Sequence, residues 1–170
     1  MSAETMNDAE FGFGSGHINP VKAIDPGLVY DAREADYVAF LCGQGYTDPD
    51  LQIITGDAST CSSVTAGADT NLNYPSFALR TLPLASVDSS FIRTVTNVGS
   101  SVSTYKATIY APSSGLKIQV NPSVLSFASQ GQQLSFTLAI QGTMDASAIR
   151  AALVWDDGTH QVRSPIVVYI

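Results

Sequence analysis

The fold is decided by residues 149–170, IRAALVWDDGTHQVRSPIVVYI. Two strand-like runs, Ile149–Trp155 and Gln161–Ile170, flank Asp156-Asp157-Gly158-Thr159. Asp-Gly between such runs signals a β-hairpin, because a tight turn needs backbone in the left-handed region that glycine adopts without a steric cost. Upstream the same period of two recurs. Leu134, Phe136, Leu138 and Ile140 alternate with Ser135, Thr137 and Ala139, and Leu116, Ile118 and Val120 alternate with Lys117 and Gln119. Tyr105, Ala107 and Ile109 follow the same rule, Phe91–Val98 is a β-rich run ending at Gly99, and Leu72–Leu79 reads as an opening strand. Alternation of this kind places one face of each strand in a core.

About seven short strands in roughly 100 residues is the count and spacing of an immunoglobulin-like or fibronectin type III-like β-sandwich. The sequence before residue 70 reads differently. Gly12, Gly14, Gly16, Asn19-Pro20 and Asp25-Pro26-Gly27 are turn chemistry in close succession. Asp31-Ala-Arg-Glu34 has the spacing of a capping box and predicts a helix from Asp31 to about Cys42, with Tyr37, Val38, Leu41 and Cys42 on one face and Gly43 as its stop. A second short helix is predicted with Asp48 as N-cap and Pro49 in first position, ending at Gly56. Ser59–Thr70 has linker composition. The predicted fold class is thus mainly β, a sandwich over 72–170 preceded by a linker at 63–71 and by a loop and short helical hairpin within 1–62.

Charge divides the chain at the same place. The formal net charge is −7. Residues 1–69 hold eleven acidic residues against Lys22 and Arg33, a net −9, whereas residues 70–170 carry +2. With only eight Lys and Arg in all, no nucleic-acid partner is expected, since affinity for phosphate backbones comes mainly from basic side chains. No membrane partner is expected either: basic residues are too few for an anionic surface, and no apolar run reaches the roughly 18 residues of a spanning helix. MSAETMNDAEFGFGSG lacks the basic and apolar regions of a signal peptide.

The candidate chemistry is sparse. His17 lies in Gly-Ser-Gly-His-Ile-Asn-Pro with Ser15 and Asn19 nearby, but members of a triad converge from different elements, so His17 is read as pinning a glycine-rich turn. Gly12-x-Gly14-x-Gly16 misplaces the third glycine of a dinucleotide fingerprint, and no strand precedes it. His160 closes Asp157-Gly158-Thr159-His160, an echo of the HGTH string around a protease histidine, but Asp157 occupies the position of the proton-shuttling residue and cannot act there. His160 is therefore read as a turn-exposed or sheet-edge residue. Two Cys and two His have no zinc-ligand spacing, and Asp48-Pro49-Asp50 does not continue into a calcium loop, so no metal, cofactor or catalytic residue is expected. A bond between Cys42 and Cys61 would restrict the unfolded chain by about 3 kcal/mol, and an even count alone leaves free thiols equally open.

Several strings together resemble the C-terminal part of plant subtilisin-like serine proteases of the cucumisin type. They are GSGHINPVKAIDPGLVYDAREADYVAFLCGQGY (15–46), LNYPSF (72–77), RTVTNVG (93–99), VNPSVLSF (120–127) and WDDGTHQVRSPIVVY (155–169). The resemblance implies that residues 1–62 are the end of a catalytic domain and that 72–170 are a fibronectin type III-like domain packed on it. The GTSM string bearing that family's serine nucleophile does not occur in these 170 residues, nor do its catalytic aspartate, catalytic histidine and oxyanion asparagine motifs. The chain is accordingly expected to cleave nothing by itself, to have the catalytic domain of a parent or related protease as its partner, and to be extracellular. An oxidising destination implies a Cys42–Cys61 disulfide. Deprived of a catalytic core to pack on, residues 1–30 are expected to be poorly ordered and to leave an apolar patch exposed.

Overall fold

The computed structural model describes Gly12, residues 14–61 and residues 70–170. Most of the predicted linker at 63–71 and the first eleven residues lie outside the described residues. The rest is a β-sandwich of two sheets with three short helices before it.

Nine strands form the sheets among the described residues: β1 (Leu28–Val29), β2 (Phe77–Arg80), β3 (Ser86–Asn97), β4 (Ser103–Tyr110), β5 (Leu116–Asn121), β6 (Val124–Phe127), β7 (Gln133–Thr143), β8 (Ala148–Asp156) and β9 (Gln161–Tyr169). One sheet has the order β1-β3-β7-β5 and the other β2-β9-β8-β4-β6. All pairings are antiparallel except that of β2 with β9. The alternating residues point as their period requires. Phe136, Leu138 and Ile140 of β7 are buried and meet buried residues of the facing sheet, among them Tyr105, Leu153, Trp155 and Ile166. Trp155 packs edge-on against Phe136 with ring centroids 5.1 Å apart. Fully burying a large apolar side chain contributes about 2–3 kcal/mol, so this pair anchors the two sheets to each other.

The β8–β9 hairpin forms where Asp-Gly places it. Asp156 accepts from the Gly158 N–H at 2.6 Å, Asp157 accepts from the Thr159 N–H at 2.8 Å, and Gly158 takes φ +89°. Two strands escape the period-two reading. β6 is only four residues long, and the chain reaches it by crossing from one sheet edge to the other through Pro122 and Ser123. β1 is a two-residue strand inside the segment read as loose loop. Its Leu28 pairs with Asn97 of β3 and is buried in the sandwich core. The expectation that residues 1–30 are poorly ordered therefore fails for Pro26–Tyr30, because their backbone and apolar groups find partners on the sandwich rather than on an absent core.

Three helices lie wholly within the described residues: α1 (Pro20–Ala23), α2 (Glu34–Gly43) and α3 (Asp48–Thr55). Both predicted N-caps shift. Helix α2 starts after Arg33, whose N–H donates to Asp36 at 2.7 Å, while Asp31 is engaged on the sandwich instead. Helix α3 starts after Thr47, whose N–H and hydroxyl both donate to Asp50. Asp48 is left to accept from the Cys61 N–H at 2.8 Å. No residue of α2 is buried, and Leu51 is the one buried residue of α3.

Candidate functional site

The site is a strap, residues 25–31, that joins the helical segment to both sheets. Gly27 makes its tightest approach. Its carbonyl accepts from the N–H groups of Val98 and Gly99 at 2.9 and 3.1 Å, and its φ is +77°. A Cβ at Gly27 would lie 2.6 Å from the Tyr105 hydroxyl and 2.7 Å from Cγ of His160. Only glycine fits there, for both its conformation and its size.

Three polar clusters fasten the strap. At its start, Nε2 of His160 lies 3.2 Å from Asp25, and Nδ1 lies 3.0 Å from Asp157. Burial opposes the charge on Asp157, but hydrogen bonds from the His160 N–H, the His160 ring and the Thr159 N–H outweigh it and hold the carboxyl down to about 2. The hydrogen bonds to Asp157 and Asp25 raise His160 above its ordinary value. Burial, then the neighbouring Asp157, pushes the Tyr105 phenol up.

In the middle, the Tyr30 phenol and the Ser164 hydroxyl are 2.9 Å apart, linking the strap to β9. At its end, the Thr96 hydroxyl donates to the Asp31 carboxylate. Asn73 donates to the carbonyls of Asp31 and Thr94 at 2.9 and 2.8 Å, and its own carbonyl accepts from the Thr94 N–H at 2.9 Å. Beneath this clasp lies Arg93, 4% exposed. Its guanidinium donates to the carbonyls of Tyr74, Thr70 and Ile92 and stacks over Phe77, 4.9 Å from the ring centroid. Burial lowers its pKa to about 10, so it stays charged at neutral pH.

His160 is thus corrected: it closes the hairpin turn as expected, but its side chain is 12% exposed and wedged under the strap rather than displayed to solvent. His17 and Ser15 are exposed, and the Asn19 side chain caps α1 by accepting from the Lys22 N–H at 3.2 Å. Cys42 and Cys61 are joined in a disulfide, with Cα atoms 5.6 Å apart, and close α2 and α3 into a hairpin. Among the described residues no group of three metal-ligating side chains converges, and no helix is long and apolar enough to cross a membrane. Sequence reasoning missed Arg93, Asn73 and Tyr30. The usable signal was parity: Phe91, Arg93, Val95 and Asn97 share the buried face of β3, and a lone arginine on that face has to be anchored.

The sandwich matches the model of the fibronectin type-III domain over residues 71–168. The chain belongs to the fibronectin type-III domain family. The fibronectin type-III domain does not account for the whole similarity, because relatives match the preceding segment as well. Subtilisin-like protease SBT4.12 of Arabidopsis thaliana is 46% identical over 168 residues, covering 95% of this chain and 22% of the relative. Subtilisin-like proteases SBT4.8 and SBT4.9 of the same plant are 47% and 48% identical, each with 23% of its length matched. The chain therefore spans less than a quarter of the length of these proteases. Among solved structures, a Bacteroides ovatus GH5 xyloglucanase in complex with a XXXG heptasaccharide covers 57% of this chain and 17% of its own, with a TM-score of 0.41 and 6% identity. A FixG-related protein from Vibrio parahaemolyticus covers 50% of this chain and 82% of its own, with a TM-score of 0.38 and 11% identity. Likenesses this distant carry no functional argument.

Proposed function

We propose that this chain is the non-catalytic C-terminal portion of a secreted subtilisin-like serine endopeptidase, in which the fibronectin type-III domain structurally supports the catalytic domain. The observation that carries the reading is the strap together with what precedes it. Residues 25–31 are fastened into the sandwich, while just upstream Ile18, Val21 and Ile24 are 89%, 81% and 86% exposed. Three large aliphatic side chains on one short segment are a face that a larger apolar partner covers. Similarity to proteases more than four times as long, over 95% of this chain, gives that partner a chemistry: the catalytic portion of such a protease. The strap then fixes how the partner sits on the sandwich. The Cys42–Cys61 bond fits an oxidising, extracellular location.

The test is to mix the chain with a relative such as SBT4.12 from which the matching region has been removed. A stable one-to-one complex, with a higher melting temperature for the truncated protease, is expected. Separate elution of the two in gel filtration would overturn the reading. Alone, the chain should neither turn over casein nor be labelled by an active-site-directed serine reagent.

The sandwich core closes on itself through β2 to β9, with Leu28 and Tyr30 the additions from the strap, and this self-sufficiency favours a second reading, a free-standing binding or inhibitory module. Dose-dependent inhibition of an intact relative would select it.

A further inference from the structure

Both ring nitrogens of His160 face carboxylates, and the two carboxylates belong to different parts of the chain. Asp157 sits in the same hairpin turn and also accepts the His160 backbone N–H at 2.6 Å. Asp25 sits in the strap, 3.2 Å from Nε2. A neutral imidazole has one N–H, so it can donate to one of these groups and must turn a lone pair toward the other; an imidazolium donates to both. The shorter and less exposed of the two contacts, with Asp157 at 3.0 Å, favours placing the first proton on Nδ1. The second proton, on Nε2, is the one that titrates, and it points at Asp25. Backbone hems the ring in on two sides: a Cβ at Gly27 would lie 2.7 Å from its Cγ, and one at Gly99 3.5 Å from its Cε1.

We propose that protonation of His160 latches the strap onto the sandwich, so that the joint between the helical segment and the fibronectin type-III domain is tight in acid and loosens toward alkaline pH. The groups facing the ring come from every element around it. They are Asp157 from the β8–β9 turn, Asp25 from the strap, and Tyr105 from β4, whose phenol stays protonated through burial and the Asp157 charge. Lys22 of α1 and Arg163 of β9 line the same recess as Asp25 and His160. Because His160 is raised above the ordinary histidine value of about 6.5, the latch is complete just below about 6.5, where Asp157 is still ionised, and is lost as pH rises through the higher folded-state value. Asp25 is 67% exposed, so solvent screens the contact and the expected effect is modest.

The inference rests on the strap alone and stands or falls independently of the protease reading. The test uses the whole isotope-labelled chain and two readouts across pH from about 5.5 to about 8.5: the imidazole nitrogen shifts of His160, and hydrogen-exchange protection of the Val98 and Gly99 amides that donate to Gly27, referred to core amides of β7. Protection should fall about three- to tenfold as Nε2 loses its proton. In Asp25→Asn, which keeps the Asp157 contact and alters an exposed side chain, the fall should vanish and the Nε2 proton should be lost at lower pH. An equal fall in Asp25→Asn, or flat protection in the unaltered chain while Nε2 titrates, overturns the latch.

Discussion

Tyr30 and Ser164, 134 residues apart in the sequence, hold their hydroxyl oxygens 2.9 Å apart at the joint between the strap and β9. Ser164 is fully buried, so Tyr30→Phe leaves a buried hydroxyl without its partner. A buried polar group left unsatisfied costs about 1–3 kcal/mol, whereas replacing both partners by apolar groups of similar shape is close to neutral. Tyr30→Phe should therefore destabilise by about 1–2 kcal/mol, and the double variant Tyr30→Phe, Ser164→Ala should be less destabilised than the two single effects added together. Urea unfolding of the four proteins measures the coupling, and simple additivity would show that the two hydroxyls do not interact.

Arg93 gives a sharper case. Its guanidinium reaches three carbonyls while lying flat over Phe77, and a lysine ammonium matches neither the fork of donors nor the stacking plane. Arg93→Lys keeps the charge, yet it should cost about 2–3 kcal/mol because the carbonyls of Tyr74 and Thr70 lose a donor and a compact cation is buried in their place. A midpoint in urea unchanged from the parent would refute the role assigned to the guanidinium.

The fold was legible where one residue in two decides burial, and illegible where a distant partner does. Leu134 to Ile140 announce a half-buried strand by themselves, and β7 lies there. Leu28 and Val29 announce nothing, since two residues have no period, and their burial depends on β3, nearly seventy positions later. Asp31 shows the same competition in a cap. Its spacing to Glu34 is that of a capping box, but the Thr96 hydroxyl takes its carboxylate, so the helix begins two residues on, with Asp36 accepting from Arg33. The burial of the His160 side chain has a related cause. A hairpin turn is ordinarily exposed, and only the strap lying over it makes this one a joint.

Gly27 and Gly158 both have positive φ, +77° and +89°, and differ in what surrounds them. At Gly158 an added Cβ meets nothing within 4 Å, so Gly158→Ala should cost about 1 kcal/mol from backbone strain alone. At Gly27 the same methyl runs into Tyr105 and His160, and the strap must lift to admit it. Gly27→Ala should cost at least about 2 kcal/mol more, with lost exchange protection at Val98 and Gly99. Equal midpoints for the two variants would mean that the strap is not clamped against the ring of His160.

Acid should weaken the hairpin through Asp157. Its pKa is about 2 in the folded chain, below the roughly 3.9 of an unfolded aspartate. The stabilisation is present above about 4 and is lost as pH falls through the folded value, amounting to roughly 1–3 kcal/mol. Asp157→Asn should be less stable than the parent near neutrality, and the gap should narrow between about pH 4 and about pH 2. A gap that stays constant over that range would place the effect in lost packing rather than in charge.

Reduction should separate the two parts of the molecule. Cys42 and Cys61 lie 19 residues apart in sequence and tie α2 to the segment after α3, and a loop of that size is stabilised by about 3 kcal/mol on bridging. The hairpin buries only Leu51, which stands outside the sandwich core, so the bond replaces the core that the helices lack. With dithiothreitol, amides of α2 and α3 should lose protection together while those of β3 and β7 keep theirs. Collapse of both sets at once would mean that the sandwich depends on the hairpin, the reverse of the hierarchy in which Leu28, fixed by β3, ties the helical segment to a sandwich already complete.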